Sequence, residues 1–184
     1  MEENRPLKID LGSGPIPMRV RPGHDYYKDF ITIDAYPYQD QPGAVDIVAD
    51  ASEYIPLPDD SVAEVVCVEV YEHIHYARLD KFISEIYRVM QKGAKARFQS
   101  PNFEAVAVAF LDRSKSDAEH LYCFHCICGG QSQPFDVHRN LPCRCDIEKA
   151  FSKFSSIRFE PRPLIDYPNP NWNYRYHLSW WVVK

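Results

Sequence analysis

The 184-residue sequence contains no apolar run approaching the roughly 20 residues needed to span a bilayer, which argues against a membrane-spanning helix. Its opening stretch, Met1 to Lys8, is charged and lacks the apolar segment that directs export. It also lacks an excess of positive charge. With a formal net charge of −5, the molecule as a whole does not attract phosphate backbones, and nucleic acid is not indicated as a partner. No internal repeat and no low-complexity tract is present. What is there suits a folded cytoplasmic protein. The chain is 45% hydrophobic and 14% aromatic, enough to bury a core, and its length fits a single domain over residues 1–184.

The first half has a regular rhythm. Leu7 to Leu11 reads as a strand running into Gly12-Ser13-Gly14. Phe30 to Asp34 and Val45 to Asp50 read as two more, each ending on an acid. Val62 to Val70 is continuous and rich in β-branched residues, as a strand buried on both faces should be. A helix follows: Leu79, Phe82, Ile83, Ile86, Tyr87 and Met90 share one side, with Lys92 and Gly93 suited to its end. Ala94 to Gln99 is the next strand. Strands alternating with crossovers imply a doubly wound α/β sheet, mainly parallel and covered on both faces.

The second half, residues 102–184, is less regular. Phe103 to Leu111 reads as a short apolar helix, and Ile147, Ala150, Phe151 and Phe154 give one amphipathic face. Between them, His120 to Cys145 is rich in Cys and His and reads as a structured loop. Ile157 to Phe159 and Leu178 to Val183 are candidate last strands, joined by a long connection over Pro161 to Tyr176.

Three features converge on a ligand site. Asp10-Leu11-Gly12-Ser13-Gly14 ends the first strand, and its glycines let the backbone turn tightly and approach a ligand closely. Asp34 ends the second strand about 20 residues later, where a carboxylate can accept both ribose hydroxyls. Asp50, followed by Ala51, ends the third, where a polar residue can meet an adenine amine. In a doubly wound sheet these ends lie side by side, so the joint pattern is far more specific than a lone G-x-G.

These residues, with Val70-Tyr71-Glu72-His73-Ile74 after the fourth strand and the run from Leu79 to Pro101, resemble the class I S-adenosylmethionine-dependent methyltransferases. The likeness covers roughly the first 100 residues (1–101, the cofactor-binding half). A later block, Gly129-Gly130-Gln131 with Phe135-Asp136-Val137-His138-Arg139, is similar to a second segment of a group of small methyltransferases. The resemblance implies a Rossmann-like fold with an antiparallel last strand, S-adenosylmethionine as cofactor, and methyl transfer as the reaction. By position it places Asp10, Gly12, Ser13 and Gly14 at the methionine part of the cofactor and Asp34 at the ribose. Asp50 and Ala51 fall at the adenine, with Val68 and Glu69 beneath the sulfonium. Residues 102–184 would form the substrate side. The methyl acceptor, small molecule or macromolecule, is not specified.

The sequence departs from the family where Pro15-Ile16-Pro17 replaces the usual third glycine, and Pro22-Gly23 breaks any helix over Met18 to Asp29. Two other readings follow: a non-catalytic binding module on the same fold, and a dinucleotide-dependent oxidoreductase. The second needs a fuller G-x-G-x-x-G turn, and Pro17 stands at its sixth position. Methyl transfer requires mainly alignment, and a base only where the acceptor must lose a proton. His138 and Glu69 are the catalytic candidates, with His73 and His75 behind them.

Cys123, Cys126 and Cys128, then Cys143 and Cys145, lie near His120, His125 and His138, two knuckles of soft ligands that could build a tetrahedral zinc site. Their C-x-C spacings do not form a standard zinc pattern, so free thiols are expected and no residue is assigned to a metal. Cys67 reads as a small core residue. In the aromatic tail, Trp172, Tyr174, Tyr176, Trp180 and Trp181, strand alternation sends neighbours to opposite faces.

Overall fold

Apolar residues at alternate positions of adjacent strands build the main core. A computed structural model describes residues 6–21, 23–162, 164 and 176–184. Its strands are β1 (Leu7–Leu11), β2 (Ile31–Asp34), β3 (Ile47–Val48), β4 (Val62–Val68), β5 (Met90–Pro101), β6 (Ser156–Glu160) and β7 (His177–Val183). They form one seven-stranded sheet in the order β3-β2-β1-β4-β5-β7-β6. Neighbours from β3 to β5 pair in parallel. Strand β7 is wedged antiparallel between β5 and β6.

Ile9, Leu11, Val65, Cys67, Ala96, Phe98, Trp180 and Val182 project to one face. There they meet Phe82, Ile83, Ile86 and Val89 of α1 (Leu79–Val89) and Ile147 of α4 (Arg144–Ala150), with Phe151 just beyond it. Trp180 is 1% exposed and stacks on Phe98 with ring centres 5.2 Å apart. Alternation turns Trp181 the other way, between the cations of Lys95 and Arg158.

On the opposite face, beside β1 and β4, lie two one-turn 3-10 segments, Met18–Val20 and Asp25–Tyr27. Met18, Tyr27 and Phe30 pack there on Val66. The segment over 18–29 thus follows the sequence reading: prolines before and within it prevent a longer helix.

Two other expectations are corrected. The helix stops at Val89, and Met90 already belongs to β5, opposite Val62. Lys92 and Gly93 are therefore not a helix end. They lie where the pairing of β4 with β5 slips between Val62 and Glu64, and the Gly93 N–H donates to Lys184 O at 2.9 Å. Burial of Met90 in the sheet core satisfies the same apolar pattern that suggested a helix. The Cys- and His-rich stretch is not a loop throughout. Asp117–Cys128 is a helix, α3, begun by a reciprocal capping box between Ser116 and Glu119. It packs Tyr122, Cys123 and Cys126 against Val106 and Ala109 of α2 (Phe103–Leu111) and against Tyr176. Trp172, Tyr174 and most of the Pro161–Tyr176 connection lie outside the described residues. None of the described helices is long and apolar enough to cross a membrane.

Candidate functional site

In an open parallel sheet, ligands settle beyond the carboxyl ends of the strands where the order reverses, here between β1 and β4. A cleft of about 1220 Å³ opens there. That exceeds the roughly 300–1,000 Å³ of common small-ligand pockets, and leaves room for two reactants side by side.

The glycine turn forms one wall. Gly12 has φ +70° and donates to Ile33 O at 2.7 Å. A Cβ on it would sit 2.2 Å from Val70 Cγ2, so only glycine fits. Gly14 has φ +65° and open space where a Cβ would be, leaving its backbone bare toward the cleft. Its N–H donates to Asp34 Oδ2 at 2.9 Å, while Asp34 Oδ1 accepts from the Tyr36 N–H at 2.9 Å. One carboxylate thus ties the ends of β1 and β2 together. Burial pushes the Asp34 carboxyl up in pKa, against the pull of those N–H groups.

Gly12, Gly14, Asp34, Asp50, Ala51 and Glu69 all border the cleft, as their positions in sequence led one to expect. Asp50 shapes its own turn, accepting from Ser52 N–H at 2.9 Å and Ser52 Oγ at 2.7 Å. Four named residues stand elsewhere, among them the catalytic candidate His138, which is outside the cleft lining with its ring 4.8 Å from that of His73. Asp10 lies behind the wall, 2% exposed, accepting from the Met18 N–H at 2.8 Å. Ser13 is buried in the turn with no hydrogen-bond partner for Oγ. Val68 packs toward the Met18 cluster on the opposite sheet face.

The far end of the cleft is built from the segment after β4. Glu69 takes φ +55°, a backbone conformation that stores strain and here ends the strand before Val70. Its Oε1 accepts from Gln99 Nε2 at 3.0 Å and lies 3.6 Å from His177 Nε2. Glu72 is 1% exposed and accepts from Ser100 Oγ at 2.8 Å. Burial, then the neighbouring Glu69 charge, holds its carboxyl well above the usual carboxylate range. The Glu72 carbonyl accepts from the N–H groups of Arg139 and Asn140 at 2.8 and 3.2 Å. Asn140 Nδ2 donates to the carbonyls of Tyr71 and Ile74. The block at 135–140 is thereby pinned to the Glu72-His73-Ile74 segment. His73 and His138 meet edge to face at 4.8 Å between ring centres. Burial, then His73, lowers the pKa of His138. His75 Nδ1 is engaged with the Ala77 N–H.

That block also supplies a cover. Phe135 lies against Tyr36, ring centres 3.7 Å apart, so an aromatic pair bridges from the end of β2 to the later segment. Phe135, Asp136 and Arg139 line the cleft with Tyr36 and Tyr38. Sequence reasoning singled out the block but not Tyr36 or Tyr38. Their only signal was an aromatic pair directly after the strand-ending Asp34. The cysteines do not converge as two knuckles. Cys123 and Cys126 are buried between α2 and α3, whereas Cys143 and Cys145 stand at the start of α4 with Sγ atoms 3.0 Å apart.

A sheet of this order with one antiparallel strand, a glycine turn after β1 and an acid ending β2 is a Rossmann-like α/β fold. Residues 10–98 match a family model described as a methyltransferase domain. A methyltransferase structure from Archaeoglobus fulgidus is 16% identical, covers 96% of this chain and 85% of its own, and superposes with a TM-score of 0.61. One from Thermotoga maritima is 15% identical over 97% of this chain and 82% of its own, with a TM-score of 0.61. Human N-acetylserotonin methyltransferase in complex with S-adenosylmethionine is 14% identical, over 97% of this chain and 47% of its own, with a TM-score of 0.54. At such identities the likeness speaks for the fold. No curated protein sequence matches this chain.

Proposed function

We propose that S-adenosylmethionine is held across the ends of β1, β2 and β3, and that the acceptor enters beside Glu69 and His73. The observation that carries this reading is the wall made by Gly14 and Asp34: a bare backbone joined to a strand-ending carboxylate on the same cleft. Gly12 and Gly14 would lie against the methionine part, Asp34 would accept from the ribose hydroxyls, and Asp50 with Ala51 would face the adenine. The bound cofactor supplies a methyl group on a cationic sulfur, open to displacement by a lone pair.

The chain's own work is orientation and proton handling. Gln99 fixes the Glu69 carboxylate at the cleft. Glu69 would receive the proton of an N–H or O–H acceptor. The Tyr36–Phe135 pair would exclude water from one side. Six free cysteines suit a reducing compartment, so we place the protein in the cytoplasm.

Calorimetry with S-adenosylmethionine and its demethylated product tests the cofactor assignment. Saturable binding of both, with no binding of NAD, is the expected result. Preference for NAD would overturn it.

A further inference from the structure

Beside Glu69, three other side chains point to chemistry that the sequence reading did not assign. Glu72, His73 and His138 each present one donor atom, and the three atoms lie within 4.8 Å of one another. The arrangement is built rather than incidental. His73 Nδ1 lies 3.2 Å from Val137 O and His138 Nδ1 lies 2.8 Å from Cys126 O. A ring that donates through Nδ1 to a carbonyl carries its lone pair on Nε2, the tautomer and orientation that metal-ligating histidines show. Glu72 Oε2 is held by Ser100, while Oε1, in a side chain 1% exposed, has no hydrogen-bond partner. An oriented carboxylate with an orphaned oxygen is rare in a buried site and calls for an occupant.

We propose that Glu72, His73 and His138 form a binding site for one divalent transition-metal ion of the zinc type. Two imidazoles and one carboxylate are a donor set such ions accept, with coordination positions left open. The spacing is close to what binding needs. Donors at the corners of a triangle with 4.8 Å edges lie about 2.8 Å from its centre, against about 2.0–2.2 Å in a formed site. Each donor has to move inward by less than about 1 Å, within the reach of small side-chain rotations. The Glu72 carbonyl anchors Arg139 and Asn140, so the segment carrying His138 is already fixed against the segment carrying Glu72 and His73. His73 also borders the cleft. There the ion would take an oxygen or nitrogen of the acceptor and present it for methylation. That role rests on the reading above, but the metal site itself does not.

A rival occupant for Glu72 Oε1 is a proton shared with Glu69, and it predicts no metal uptake. A second thiol-based candidate, Cys143 with Cys145 and Asp146, is exposed and lies elsewhere at the start of α4. The test uses the full chain, stripped with chelator and titrated with Zn2+ alone by calorimetry, with elemental analysis after dialysis. About one ion per chain is expected, weakened at least about 100-fold by His138→Ala and by His73→Asn, both checked for native circular dichroism. The double variant Cys143→Ser, Cys145→Ser is expected to keep the ion. Co2+ in place of Zn2+ should give visible absorption bands that are lost in His138→Ala. No stoichiometric uptake, or uptake abolished by the cysteine variant and kept by both histidine variants, overturns the proposal. Binding of S-adenosylmethionine to the metal-free protein, measured in parallel, reports on the cofactor reading separately.

Discussion

Asp10 offers a prediction whose size follows from its surroundings. Its carboxyl is 2% exposed, and burial raises its pKa from 3.8 to about 6, against the stabilising N–H of Met18 and the charges of Arg21 and Arg19. A raised carboxyl pKa means that the folded protein holds the proton where the unfolded chain has lost it. The stabilisation is full below about pH 3.8 and is lost as pH rises through about 6. A shift of this size corresponds to about 3 kcal/mol between the two limits, and to about 2 kcal/mol between about pH 4.5 and pH 8. Asp10→Asn removes the titration, while its side-chain oxygen still accepts from the Met18 N–H. Urea denaturation followed by tryptophan fluorescence, on both proteins at both pH values, measures the effect. The stability of Asp10→Asn relative to the parent should improve by about 2 kcal/mol between the acid and the alkaline condition. A difference that stays flat with pH would refute the argument. A difference of opposite sign would show that Arg19 and Arg21 outweigh burial.

Three other perturbations probe the site and its support. Asp34→Ala should weaken S-adenosylmethionine binding about ten- to a hundredfold by calorimetry, because it removes a charged acceptor at the ribose position; unchanged affinity would reduce Asp34 to the clamp between Gly14 and Tyr36. Gly12→Ala forces a Cβ to within 2.2 Å of Val70 Cγ2 at φ +70° and should lose more than about 2 kcal/mol in urea melts. Gly14→Ala, with open space around it, should lose only about 1–2 kcal/mol, and equal losses would contradict the geometry. Arg88→Ala removes the guanidinium that donates to the Glu85 carboxylate and to the carbonyls of Ile55 and Leu57, leaving Glu85 the Ile55 N–H and Lys81, and should lower stability by about 2–3 kcal/mol. A loss below about 1 kcal/mol would mark the cluster as an ordinary surface ion pair.

Local patterns were enough for much of this molecule. Continuous β-branched runs, acids at strand ends and a glycine turn are short-range signals, since each depends on what one strand and the residue after it can do. They gave the class of fold and one wall of the cleft. The helix over Asp117–Cys128 was hidden for an equally local reason. Its thiols and imidazoles read as ligands, and only its capping box and its packing on α2 reveal them as one face of a helix. Met90 was misplaced because one buried methionine serves a helix stripe and a buried strand equally well.

The sequence by itself determined which strand ends meet at the cleft, because glycine at positive φ and a carboxylate at a strand end are local features of each strand and the turn after it. Tertiary structure decided the partnerships. Tyr36 meets Phe135 and His73 meets His138 only because the chain between them folds back through α2 and α3. The Glu72 carbonyl then closes that return by accepting from Arg139 and Asn140. Contacts between segments more than 60 residues apart follow from topology and packing, which no spacing along the chain encodes.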